Sequence, residues 1–130
     1  MPSAPEIRVV ESPVQLFQVA AAQFSKLAAE AVRDRGRFTV ALSGGSTPKG
    51  LYTLLATGVV PVPWDKICFF WGDERHVPPT DPESNYRMAN EAMLSKVPAP
   101  PQNVFRIFAE EKDARIAADK YEKTIIEFFN

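Results

Sequence analysis

The stretch that most constrains this chain is Phe38 to Tyr52, reading FTVALSGGSTPKGLY. Phe38 to Leu42 is a short apolar run with β-branched members, the pattern of a buried parallel strand. Thr47-Pro48 predicts a helix start, with Thr47 capping through its hydroxyl and Pro48 in the first helical position, where no N–H is needed. Between strand and helix lie Ser43, Gly44, Gly45 and Ser46. Two adjacent glycines let the backbone turn sharply and approach a ligand without Cβ interference. The N–H groups of the turn and of the first helical residues then converge on a spot of partial positive charge, which suits a phosphate. Ser43, Gly44, Gly45, Ser46 and Thr47 are therefore the candidate phosphate-binding residues. The plainer alternative is an ordinary strand-to-helix loop, but none of the five residues is a bulky space-filler.

Other glycine-rich readings fail on spacing. No Gly-Lys-Ser/Thr follows as a Walker loop requires, and the G-x-G-x-x-G dinucleotide pattern is absent. Ala41 to Gly45 comes close to the G-x-S-x-G elbow of serine hydrolases, but its first position is Ala. That fold also needs an acid and then a histidine downstream of the serine. The single histidine, His76, comes too early for that order.

The rest of the chain alternates strand and helix patterns. Ile7 to Val10 is a short strand candidate. Ser12 predicts a helix cap, with Pro13 at the first position and Gln15 at the capping-box position. Leu16, Ala20, Phe24, Leu27 and Ala31 recur at helical spacing as one apolar face, and Arg33, Arg35 and Gly36 close the helix. Leu51, Leu54 and Leu55 give the second helix its buried face, and Gly58 ends it. Ile67 to Trp71 is almost wholly apolar, as a strand covered on both faces should be. Ser84 to Leu94 reads as a helix capped by Ser84, with Met88 and Ala92 or Met93 facing inward. Val104 to Phe108 is a fourth strand candidate, and Glu110 to Phe129 an amphipathic helix with Ile116, Ala117, Tyr121, Ile125 and Phe128 on one face. The expected class is α/β, a mostly parallel, Rossmann-like sheet flanked by helices.

Composition narrows the function. At 130 residues, 45% hydrophobic and 24% charged, the chain has the make-up of a globular domain or part of one. A formal net charge of −1 gives no electrostatic footprint for nucleic acid or an anionic membrane. The one cysteine, Cys68, excludes an internal disulfide and lies in the apolar strand run, where a small buried side chain is expected. With no membrane-length apolar run and no leader pattern, the expected setting is cytoplasmic. Of twelve prolines, Pro61, Pro63, Pro78, Pro79, Pro82, Pro98, Pro100 and Pro101 cluster between elements and mark stiff connectors.

A second stretch competes for a role. Directly after the strand ending at Trp71 come Gly72, Asp73, Glu74, Arg75 and His76. Four ionisable residues at the end of a buried strand are costly unless they meet solvent or a ligand. In open α/β sheets, ligands sit beyond the carboxyl ends of strands, the edge where the glycine turn also lies. Arg75 suits a phosphate or carboxylate, or a carbonyl oxygen to be polarised. Asp73 suits proton acceptance or a sugar hydroxyl, and Glu74 suits either the site or a local pairing with Arg75. His76 alone is more readily a hydrogen-bonded surface residue than a base, and no ligand cluster supports a metal.

These segments together resemble the 6-phosphogluconolactonases, within the superfamily that includes glucosamine-6-phosphate isomerase/deaminase. The matching pieces are LSGGSTP at Leu42 to Pro48, WGDER-VP at Trp71 to Pro78 and SNYRMA at Ser84 to Ala89. LSKVP at Leu94 to Pro98 and NVFRI at Asn103 to Ile107 match as well. The resemblance covers essentially the whole chain but only the amino-terminal half of the family's domain. Residues 1–130 are thus expected to be the amino-terminal part of a single sugar-phosphate lactonase domain. The resemblance implies hydrolysis of 6-phosphogluconolactone to 6-phosphogluconate in the oxidative pentose phosphate pathway, without metal or organic cofactor. It places the Ser43 to Thr47 loop against the sugar phosphate and Asp73 and Arg75 as catalytic residues lining the site. The family's general base is a histidine in a later G-x-D-G-H-T-A-S-type stretch that this sequence does not contain, and His76 does not take its place. The chain alone is therefore expected to turn over little or no lactone. Rival readings are an aminosugar-phosphate isomerase/deaminase and a non-catalytic sugar-phosphate-binding protein. The first resembles M-D-E-Y where this chain has Gly72-Asp73-Glu74-Arg75.

Overall fold

A computed structural model describes residues 2–130. Its centre is a pair of parallel strands, β1 (Phe38–Leu42) and β2 (Ile67–Trp71), in register from Phe38 opposite Ile67 to Leu42 opposite Trp71. The parallel sheet flanked by helices agrees with the expected class. Helices α1 (Pro13–Arg35), α2 (Ser46–Ala56), α3 (Asn85–Ala92) and α4 (Ala114–Phe129) surround it. The alternation of side chains along β2 sorts them into two layers. Ile67, Phe69 and Trp71 join Ala21 and Phe24 of α1, Tyr52 and Leu55 of α2, and Ala89 and Ala92 of α3. Cys68 and Phe70 face the opposite way, against Tyr121 and Phe128 of α4 and Phe105. Phe70 stacks on Phe105 with centroids 4.9 Å apart, and Phe128 meets its ring edge-on at 5.0 Å. With both faces covered, all of β2 is buried, each large side chain contributing about 1.5–3 kcal/mol.

Local signals set α1 well. The Ser12 hydroxyl accepts from the Gln15 N–H, and Gln15 Oε1 accepts from the N–H of Glu11. Gly36 ends the helix at φ 80°, its N–H donating to the Val32 carbonyl. The buried stripe is Ala21, Phe24, Ala28 and Ala31, while Leu16 and Leu27 are exposed. Phe24 and Ala31 of the expected face are thus buried, while Ala21 and Ala28 go deeper than Ala20 and Leu27, because the sheet and α2 meet the alanine side. There Phe17 lies over Gly50, where any Cβ would overlap its ring.

Three expected elements differ. Ile7 and Val9 are 85% and 88% exposed and form no strand, because no ladder partner reaches them. Val104 to Phe108 contributes only a single parallel bridge, Val104 to Phe69, with the Phe105 N–H on the Phe69 carbonyl. A 3-10 turn at Pro101–Asn103 leads into it and the segment then leaves the sheet. Helix α4 starts at Ala114 instead of Glu110, because Asp113 supplies the cap through its bond from the Arg115 N–H. Along it Ala117 and Tyr121 are buried, Phe128 is half-buried, and Ile116 and Ile125 remain exposed.

Candidate functional site

Because Leu42 and Trp71 are paired, both strands stop at the same edge, and their following loops emerge side by side. The Gly72 N–H donates to the Leu42 carbonyl, carrying the ladder one step into the loops. Helix α2 begins at Ser46 with Gly45 as its cap residue and no side-chain cap bond, so Thr47 does not cap it. Pro48 is the third helical residue. The whole first turn lacks acceptors for its N–H groups, so proline is tolerated at any of these positions, and the local signal misplaces the start.

The two glycines do different things. Gly45 has φ 103°, a region open essentially to glycine alone. Gly44 has no such conformation. Instead a Cβ there would overlap the side-chain amide of Asn85. Ser43 is held by Tyr52, whose hydroxyl accepts from the Ser43 N–H at 2.8 Å and donates to the Ser43 carbonyl at 3.2 Å. Burial pushes the Tyr52 phenol above its ordinary range, with the Ser43 hydrogen bond pulling it partly back. The Ser43 amide is therefore spent. The N–H groups of Gly44, Gly45, Ser46 and Thr47 donate to no acceptor among the described residues. Four free donors therefore sit at the positive end of an eleven-residue helix, the kind of place that suits an anion.

The loop after β2 is organised by Glu74. Its Oε1 accepts from the N–H groups of Arg75 at 2.8 Å and Asn85 at 2.6 Å. Its Oε2 accepts from the Tyr86 N–H and the Ser84 hydroxyl, both at 3.0 Å. Ser84 in turn caps α3 by accepting from the Arg87 N–H. Glu74 thus satisfies the amino end of α3 and is no side-chain partner of Arg75. Asp73 is reached by Asn85, whose Nδ2 donates to Asp73 Oδ1 at 3.2 Å and to its carbonyl at 3.3 Å. Arg75 is exposed, and its guanidinium makes no ion pair or hydrogen bond among the described residues. His76 Nε2 lies 2.7 Å from the Glu111 carbonyl. A carbonyl only accepts, so this nitrogen carries the proton.

The fold therefore ties Gly44 to Asp73 through Asn85 and leaves the Arg75 side chain outside that set of bonds. Tyr52 and Asn85 are site residues that sequence reasoning missed. Asn85 lies within the SNYRMA match, but its partners are 12 residues back at Asp73 and farther still at Gly44, beyond any local pattern. Among the described residues no group of three His, Cys, Asp or Glu side chains converges as a metal site would require. No helix there is long and apolar enough to cross a membrane.

Known proteins match both sequence and fold. A 6-phosphogluconolactonase of Nostoc sp. is 47% identical over 100 residues, covering 77% of this chain and 41% of that protein. One of Synechocystis sp. is 39% identical over 126 residues, covering 97% and 52%. The chain spans about half the length of these curated relatives. A solved 6-phosphogluconolactonase from Trypanosoma cruzi superimposes with a TM-score of 0.84 at 34% identity, over 98% of this chain and 52% of that one. The family described as glucosamine-6-phosphate isomerases/6-phosphogluconolactonase matches residues 11–130. With that span matched, the chain belongs to this family.

Proposed function

We propose that residues 1–130 are the amino-terminal part of a single lactonase domain and supply the sugar-phosphate-binding half of a 6-phosphogluconolactonase. The reaction is hydrolysis of 6-phosphogluconolactone to 6-phosphogluconate, in the oxidative pentose phosphate pathway and a cytoplasmic setting. One observation carries the reading: the N–H groups of Gly44 to Thr47 are unspent, at the edge where Asp73 is held. Four free amides at a helix start suit the dianionic phosphate of such a substrate. Names of relatives up to 47% identical support the choice of lactone.

In this chemistry water adds to the lactone carbonyl, the oxygen gains negative charge, and the ring C–O bond then breaks, leaving a hydroxyl and a carboxylate. Such a step needs a base for the water and a cation or donors for the oxyanion. Anchoring the phosphate fixes the ring relative to the loops. Arg75, carrying no other obligation, is assigned to the developing oxyanion or the product carboxylate, and Asp73 to a sugar hydroxyl or the attacking water. His76 is committed to Glu111 and is given no role.

The test is to incubate the full-length protein separately with 6-phosphogluconolactone and with glucosamine 6-phosphate. Acid release from the first without ammonia from the second is the expected result. Ammonia release instead would replace this reading with the isomerase/deaminase one. Binding of 6-phosphogluconate with neither activity would leave a sugar-phosphate-binding protein.

A further inference from the structure

Asn85 lies between the two site loops and touches both. It is the first residue of α3 and only 7% exposed. We propose that Asn85 is a positioning residue that sets the spacing between the amide cradle and Asp73, and that residue 44 is glycine in order to admit it. This rests on the reading that both loops face one sugar phosphate.

Backbone freedom does not account for the glycine. Positive φ occurs at Gly36, Gly45 and Gly58, and Gly44 is not among them. What Gly44 provides is the absence of a Cβ, in the space taken by Oδ1, Cγ and Nδ2 of Asn85. Nor is Asn85 able to retreat cheaply. Its N–H is bound to Glu74 Oε1, and Ser84 beside it both caps the helix and donates to Glu74 Oε2. The orientation of the amide follows from chemistry. Both atoms it meets on Asp73 are acceptors, so the NH2 end must face them, leaving Oδ1 toward Gly44. Asn85 engages Asp73 Oδ1 and leaves Oδ2 without a partner among the described residues. The side chain thereby selects which carboxylate oxygen is available to a ligand. An amide combines a donor for Asp73 with a neutral, compact surface against the loop. An aspartate at 85 would place a second negative charge beside both Asp73 and the phosphate.

The experiment uses the full-length protein and three variants: Gly44→Ala, Asn85→Ala and the double. Without ligand, the Asp73 carboxyl carbon resonance is expected to move in Gly44→Ala, because the new methyl displaces the Asn85 amide. In the double variant it should coincide with Asn85→Ala, since nothing is left to displace. In titrations with 6-phosphogluconate, Gly44→Ala is expected to weaken binding about tenfold, but less than about twofold when added to Asn85→Ala, the non-additivity of residues in contact. An unmoved Asp73 resonance in Gly44→Ala, or an undiminished Gly44→Ala penalty in the double, overturns the positioning role. A wild-type chain that binds no 6-phosphogluconate yet keeps the coupled resonance shifts defeats the site reading alone. In that case Asn85 stands as the link between the loops.

Discussion

The two loops that leave the sheet at this edge have like settings and opposite hydrogen-bond economies. Each follows a parallel strand, and each leads to the start of a helix. After β2, Glu74 takes up the N–H groups of Arg75, Asn85 and Tyr86 along with the Ser84 hydroxyl, so the amino end of α3 is neutralised from within. After β1 no carboxylate accepts from the loop, and among the described residues the amides of Gly44 to Thr47 are left over. An internal anion closes one helix end, while the other, on the proposed reading, is left for an external one.

The comparison can be broken most severely at Glu74. Glu74→Ala removes one carboxylate from four donors and is expected to cost about 2–4 kcal/mol in urea unfolding, since unsatisfied groups and charged hydrogen bonds dominate large losses. A loss below about 1 kcal/mol would mean that the amino end of α3 does not depend on it. Next comes the tyrosine under the open loop. Tyr52→Phe strips both bonds from the Ser43 peptide and is expected to cost about 1–2 kcal/mol in the same measurement. The phenols of Tyr52 and Tyr121 are both raised by burial above the ordinary 10.0. The folded chain therefore holds these protons more tightly than the unfolded one. This contribution is complete below pH 10 and is lost as pH climbs through the folded values, so thermal stability should fall on the alkaline side and fall less in Tyr52→Phe. The smallest stability effect belongs to Arg75. Arg75→Ala should change unfolding by less than about 0.5 kcal/mol, as an exposed side chain without partners does. Its affinity for 6-phosphogluconate should nonetheless drop about tenfold. Equal losses in both measurements would make Arg75 structural.

What could be read from the sequence was local. The Ser12–Pro13–Gln15 start of α1, its Gly36 stop and the fully apolar β2 each declare themselves within a few residues. Ile7 to Val10 and Val104 to Phe108 carry strand-like composition too, but a strand needs a neighbour, and only Val104 finds one. Pro48 signals a helix start and not which residue of the first turn it occupies. In the site, the glycine pair was visible but its division of labour was not. Gly45 serves its own backbone, whereas Gly44 serves a side chain 41 residues away in α3. Glu74 was ambiguous for the same reason, its partners lying 10 to 12 residues downstream except for the adjacent Arg75.

Trp71, the last residue of β2, is buried with its ring 5.4 Å from that of Tyr86, and its indole Nε1 finds no hydrogen-bond partner among the described residues. An indole shielded from water and lacking such a bond emits toward shorter wavelengths, whereas the half-buried Trp64 reports a wetter environment. The protein consequently carries an intrinsic lamp one residue from the Gly72–His76 loop, whose colour would register loop rearrangement without any label.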